Sequence, residues 1–300
     1  MKNGYKCLVP NHKESTLNGE DVFRFDDYES FVNACNGKRT NEKSDCASYI
    51  GSRKFTATDS FEDCMQLARY GWKEGTEQAK AMISEIKAIS GSLQKVFDFV
   101  YDETGDEVSV ERYLDKEESH FLRFTETIKD GFSKRIIRFC VNVTTNAETK
   151  TEYIIRRGAS IVALVDLFES QGIQCELTAI ETIVVKNRYF EVSTVLKQAG
   201  EAVEIDRIAF AFSHPSFLRR MVFGFQETLD RKIINHYDFQ ASGGYGHCGE
   251  CPELLSDYDL YLPSFMSGNC ALFKTAKDCV KWIKETAKDF GIEFDNEERH

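Results

Sequence analysis

The sequence predicts an α/β fold: a mostly parallel sheet with one antiparallel edge hairpin and helices on both faces, plus an α+β N-terminal elaboration. Three observations predict it. RIIRFCVNV (135–143) and IQCELTAIETIVV (173–185) are compact, largely apolar β-rich runs, as expected of strands covered on both faces. Between them RRGASIVALVDLFESQG (156–172) reads as a heavily buried helix, which suits a crossover between parallel strands. After them KNRY turns the chain tightly, and RYFEVSTVLKQ (188–198) alternates on an antiparallel return. Residues 135–300 therefore form the α/β domain and residues 1–134 the elaboration, so the 300 residues read as one large domain with an extension.

Taken in order, DVFRFDDYESFVNAC (21–35) is a short strand followed by a helix with Tyr28, Phe31, Val32 and Cys35 on its apolar face. Residues 36–53 are polar and of mixed charge, which predicts an exposed, mobile loop. Ser60 is an N-cap with Asp63 three residues on, opening a helix through Phe61, Cys64, Leu67 and Ala68. A second helix is expected from about Thr76 to Val100, with Ala79, Met82, Ile83 and Ile86 on one side. Residues 101–134 are acidic and irregular, with a strand-like VSVERYL inside. Gly172 is a C-cap glycine for the 156–172 helix. Residues 203–229 are helical on both sides of Pro215, which must break or kink the run. DYDLYLPS (257–264) is a last strand, and residues 275–291 form an amphipathic helix with Cys279, Val280, Ile283 and Ala287 inward.

Composition bounds the function. Lys and Arg number 38 against 49 Asp and Glu, a net −11, which argues against nonspecific nucleic-acid coating or binding to an anionic membrane. No run reaches membrane-spanning length, and the first residues lack a signal-peptide core. Ten scattered cysteines, several inside apolar runs such as Cys140 and Cys175, read as reduced, buried thiols of a cytoplasmic protein. No phosphate loop, dinucleotide fingerprint, zinc-protease helix or nucleophile elbow is present.

Three places could carry chemistry. The strand ending at Asn142 presents Asn142, Thr144 and Asn146, hard oxygen donors for a cation such as Mg²⁺. Ser213-His214-Pro215-Ser216, followed by Arg219 and Arg220, suits an anion at a helix restart, with His214 as an acid or base. His247-Cys248-Gly249-Glu250-Cys251, with His236 upstream, supplies His236, His247, Cys248 and Cys251 as a zinc ligand set. Arg156 and Arg157 read as positioning a helix start, where their charge opposes the helix dipole.

The strand order and the Asn142/Thr144/Asn146 spacing resemble von Willebrand factor A domains, in which an Asp-x-Ser-x-Ser strand end ligates Mg²⁺. Here Asn142 replaces the Asp, so the resemblance implies a degenerate, weakened metal site. Residues 51–75, 105–124, 156–177 and 203–223 together are similar to an uncharacterised family of tailed-bacteriophage proteins. That resemblance implies a phage protein made in the host bacterial cytoplasm, and it imports no catalytic residues. The reading that follows is a non-enzymatic interaction or assembly module contacting a phage or host protein. Its face would be the loops around 142–146, 213–220 and Asp257–Asp259. The alternatives are a divergent metal-dependent enzyme acting on nucleotide or nucleic acid, using the same oxygens with Asp257 or Asp259, and a virion component.

Overall fold

The computed structural model describes residues 5–8, 19–77, 80, 81, 84, 97–104, 107–114, 117, 119–126, 136–145, 147–240, 245, 249, 257–265 and 270–292. The chain opens with strands β1 (Tyr5–Leu8) and β2 (Gly19–Phe25) and helix α1 (Tyr28–Cys35). Asp27 caps α1, its carboxylate accepting the Ser30 N–H at 2.7 Å. Short helices α2 (Ala47–Ile50) and α3 (Arg53–Thr56) precede α4 (Phe61–Tyr70). Ser60 and Asp63 close the expected capping box on α4.

Strands β3 (Phe97–Asp102) and β4 (Glu107–Val108), helix α5 (Val110–Leu114) and strand β5 (Phe121–Glu126) follow. The second half runs β6 (Ile136–Asn142), α6 (Thr151–Ser170), β7 (Gln174–Val185), β8 (Arg188–Lys197) and α7 (Ile205–Ser213). A π-helical turn at Phe217–Val222 leads into α8 (Phe223–Gln226) and α9 (Arg231–Tyr237), and the described chain closes with β9 (Leu260–Leu262) and α10 (Ala276–Asp289).

The main sheet has the order β1-β2-β8-β7-β6-β9. The pairs β2–β8, β7–β6 and β6–β9 are parallel, while β7–β8 and β1–β2 are antiparallel. The mixed α/β architecture is thus the one the sequence predicts. Lys186 and Asn187 both take positive φ (49° and 60°), the twist a two-residue hairpin turn needs. The hairpin does not end the sheet, however: β2 pairs along β8 from Gly19↔Arg188 to Phe25↔Thr194. A separate three-stranded sheet has the order β3-β5-β4.

Strand alternation divides the main sheet. Phe23, Phe25, Phe139, Val141, Leu177, Ile183, Phe190 and Val192 join one continuous core with buried residues of α1, α4, α6, α7, α9 and α10. The opposite face carries Cys140 and Ile180 with Tyr258 and Tyr261 against them.

Three local readings differ from the structure. The 36–53 segment is no exposed loop, because Cys46 and Ser48 are completely buried and Arg39 nearly so. The helix expected as far as Val100 overruns, since Phe97–Asp102 pairs with β5 as a strand; residues 85–96 lie outside the described set. Of the strand-like VSVERYL, only Val108 pairs with β5, and Val110–Leu114 is helix α5.

Candidate functional site

The C-terminal end of β6 is where the sequence places its first site. Asn142 is fully buried there. Its Nδ2 donates to Thr182 Oγ1 at 2.8 Å and to Tyr261 Oη at 3.0 Å, and its Oδ1 accepts the Thr144 N–H at 3.0 Å. The side chain therefore stitches β6 to β7 and β9. Arg157 reaches the same spot from the second turn of α6, not from a helix start as expected, because α6 begins at Thr151. Its guanidinium donates to Asn142 O at 3.0 Å and Pro263 O at 2.8 Å, and stacks 5.2 Å from the Phe265 ring centre. A fixed, nearly buried positive charge thus gathers the strand-end carbonyls. A second cation beside it would meet like-charge repulsion in a weakly screened setting. Thr144 Oγ1 is buried with no hydrogen-bond partner among the described residues. Asn146 lies outside the described residues.

The second site converges on the first. Pro215 cannot continue α7, so the helix ends at Ser213 and His214 turns extended (φ −95°, ψ 124°). His214 Nδ1 lies 2.7 Å from Ser216 Oγ and accepts the Ser216 N–H at 3.2 Å. The ring proton therefore sits on Nε2. Trp72 and Phe210 pack against the ring with centres 4.8 and 5.6 Å away. Burial pushes the His214 pKa down to about 4, so the imidazole is neutral at neutral pH. His214, Thr145, Arg157 and Leu218 line one cavity of about 20 Å³, room for about one water.

Arg219 and Arg220 differ from the anion-binding pair expected of them. Arg220 is fully buried. It donates to Thr58 Oγ1 (2.7 Å), Ser48 O (2.8 Å), Gly51 O (2.8 Å), Thr58 O (3.0 Å) and Thr56 Oγ1 (3.1 Å). Every one of these acceptors is a neutral group of the 48–58 segment, so the guanidinium ties that segment together. Arg219 donates to Phe55 O at 2.6 Å and stacks 4.1 Å over the Phe55 ring, and burial lowers its pKa to about 10. Neither side chain faces solvent.

Beside them lies a cluster the sequence reading missed. Glu227 is fully buried, and its carboxylate accepts Ser48 N–H (3.0 Å), Tyr245 Oη–H (2.7 Å) and the Ser48 hydroxyl. Arg39 Nε stands 3.5 Å from it. On the neighbouring strand Glu181 is buried, accepts from Gln226 Nε2, and has its pKa raised to about 8 by burial. A lone Glu inside the apolar run AIETIVV was the available signal for this second group.

Asp257 and Asp259 do not join the strand-end cavity. Asp259 Oδ2 accepts the Arg138 N–H at 2.8 Å. Arg138 precedes Asn142 by four residues along β6, roughly 13 Å of strand. Asp257 is exposed on the same approach to β9. The enzyme reading that joined these carboxylates to Asn142 therefore loses its geometry. His236 sits on α9 against Tyr237, while His247, Cys248 and Cys251 lie outside the described residues. Among the described residues no group of three or more His, Cys, Asp or Glu is placed to hold a metal ion. Cys35, Cys46, Cys64, Cys140, Cys175 and Cys279 are buried free thiols, and burial raises their pKa values, to about 12 at Cys64 and Cys175. A wider cleft of about 380 Å³ lies between the end of α4 and the start of α7, lined by Tyr70, Thr76, Lys80, Asp206 and Arg207. Its charges are largely paired, Arg207 with Glu204 at 2.8 Å, Lys80 with Glu77 at 3.0 Å and Asp206 with the Thr76 hydroxyl.

These features define a mixed α/β protein whose strand ends are closed by an internal arginine. The chain belongs to a family described as a domain of unknown function (DUF7192), whose profile matches residues 15–293. No curated protein and no solved structure matches it. Among the described residues no helix is long and apolar enough to cross a membrane.

Proposed function

We propose that the protein is a non-enzymatic interaction or assembly module, encoded by a tailed bacteriophage, working in the host cytoplasm and contacting a phage or host protein. The observation that carries this reading is the employment of the strand-end groups. Asn142, Arg157, His214 and Arg220 are bonded to their own chain in positions that hold elements together. His214, buried and neutral, is poorly suited to proton transfer at neutral pH. The phage assignment rests on the sequence resemblance, and the β8-β7-β6-β9 order supports the von Willebrand A-like reading.

The test is a pull-down of tagged protein from infected cells at native expression. A stable, stoichiometric partner is expected. A chain recovered alone, whose deletion leaves every complex unchanged, contradicts the proposal. Peptides from this chain in purified particles would assign it to the virion instead.

A further inference from the structure

The small cavity between Arg157 and His214 is rich in hydrogen-bond donors. Arg157 is 4% exposed there, and Thr145 and His214 are each 7% exposed. Ser216 N–H donates to His214 Nδ1, so Nε2–H is the ring's donor. That Nε2–H meets no acceptor among the described residues, and the Thr145 hydroxyl has no hydrogen bond among them. The rest of the lining is apolar: Val143, Ile154, Ala211, Phe212, Pro215 and Leu218. No carboxylate belongs to it.

This set of groups selects its occupant. A cation would be repelled by the Arg157 guanidinium. Water accepts hydrogen bonds but has two protons of its own to place. With His214 Nδ1 taken, the Thr145 hydroxyl is the one side chain of the lining left to accept them. A phosphate, a sulfate or a carboxylate is too large, because about 20 Å³ admits about one water. A monoatomic anion meets every condition. It only accepts, its charge pairs with the guanidinium, and the apolar walls strengthen that attraction. Burying an ion is costly unless it is both paired and hydrogen-bonded, and here it is both.

The geometry points to a halide site, in which Arg157, His214 Nε2–H and the Thr145 hydroxyl hold one chloride. The ion joins the second turn of α6, the end of α7 and the residues that follow β6. This site goes beyond the interaction-module reading and stands or falls without it.

The test is thermal melting of the full chain in sodium chloride against sodium gluconate at equal ionic strength. The melting temperature should rise saturably with chloride, by about 3 °C or more, because only the folded chain holds the site. Thr145→Val keeps the side chain's shape and removes one donor, so its half-saturating chloride concentration should rise about tenfold. General salt effects act on both chains alike. An equal response of wild type and variant therefore overturns the proposal, as does a wild-type melting temperature that is the same in both salts. Wild-type crystals grown in sodium bromide give a second readout that needs no variant. Anomalous bromide density in the cavity beside Arg157 and His214 is expected. A cavity holding water instead overturns the proposal. So does bromide density without any response in solution, which marks an adventitious ion only.

Discussion

Glu181 and His214 set opposite pH dependences at the scale of single residues. Gln226 Nε2 donates to Glu181 Oε2, which leaves Glu181 Oε1 and Gln226 Oε1 buried without partners among the described residues. A proton on Glu181 removes the buried charge and supplies a donor beside two unpartnered oxygens, in line with a pKa raised by burial to about 8. The unfolded chain releases that proton near pH ~4.3, so the contribution is complete below ~4.3 and lost as pH rises towards 8. The loss is on the order of 4–5 kcal/mol. His214 runs the other way: neutral when folded, it contributes above about 6.5 and loses that contribution as pH falls to about 4. Urea midpoints should therefore be highest between about pH 4.5 and 6.5 and decline towards pH 8. Glu181→Gln should flatten the alkaline decline, and an unchanged slope in that variant would show that Glu181 is ionised in the folded protein.

Helix α6 crosses α7 at Gly158, where an added Cβ would lie 2.0 Å from Ser213 Oγ and 2.6 Å from Phe212 O. The neighbours include backbone, so the helices must part. Gly158→Ala should destabilise by about 2–3 kcal/mol in denaturant titrations. Arg220→Lys keeps the charge but loses the planar fork that bonds the 48–58 segment. It should cost about 3 kcal/mol and speed amide exchange at 48–58 ahead of the sheet. These elements also show what the sequence could reveal. Helix α10 was legible because Cys279, Val280, Ile283 and Ala287 fall on one stripe, and all are buried. The β7–β8 hairpin was legible from its turn. The 36–58 fold was not, because its polar residues look like a solvated loop until Arg220 arrives from far along the chain. VERYL was misread because five residues fit either period.

At the scale of the molecule, α/β alternation announced the sheet, but β2 was legible only as a strand, not as the parallel partner of β8. That pairing joins residues 169 positions apart and leaves no local mark. Of the candidate site, the 142–146 and 213–220 loops were legible as strand and helix ends, and Thr145 and His214 from them line one cavity. The role of Arg157 was not, because a guanidinium that bonds carbonyls fifteen and 106 residues away carries no motif. The central claim is that the strand-end groups hold the fold and leave the protein to act through a partner. Quantitative co-purification of wild type and His214→Gln, expressed side by side in infected cells, tests it most directly. Both should recover the same partner in equal yield. Recovery of the bare chain in both would contradict the account.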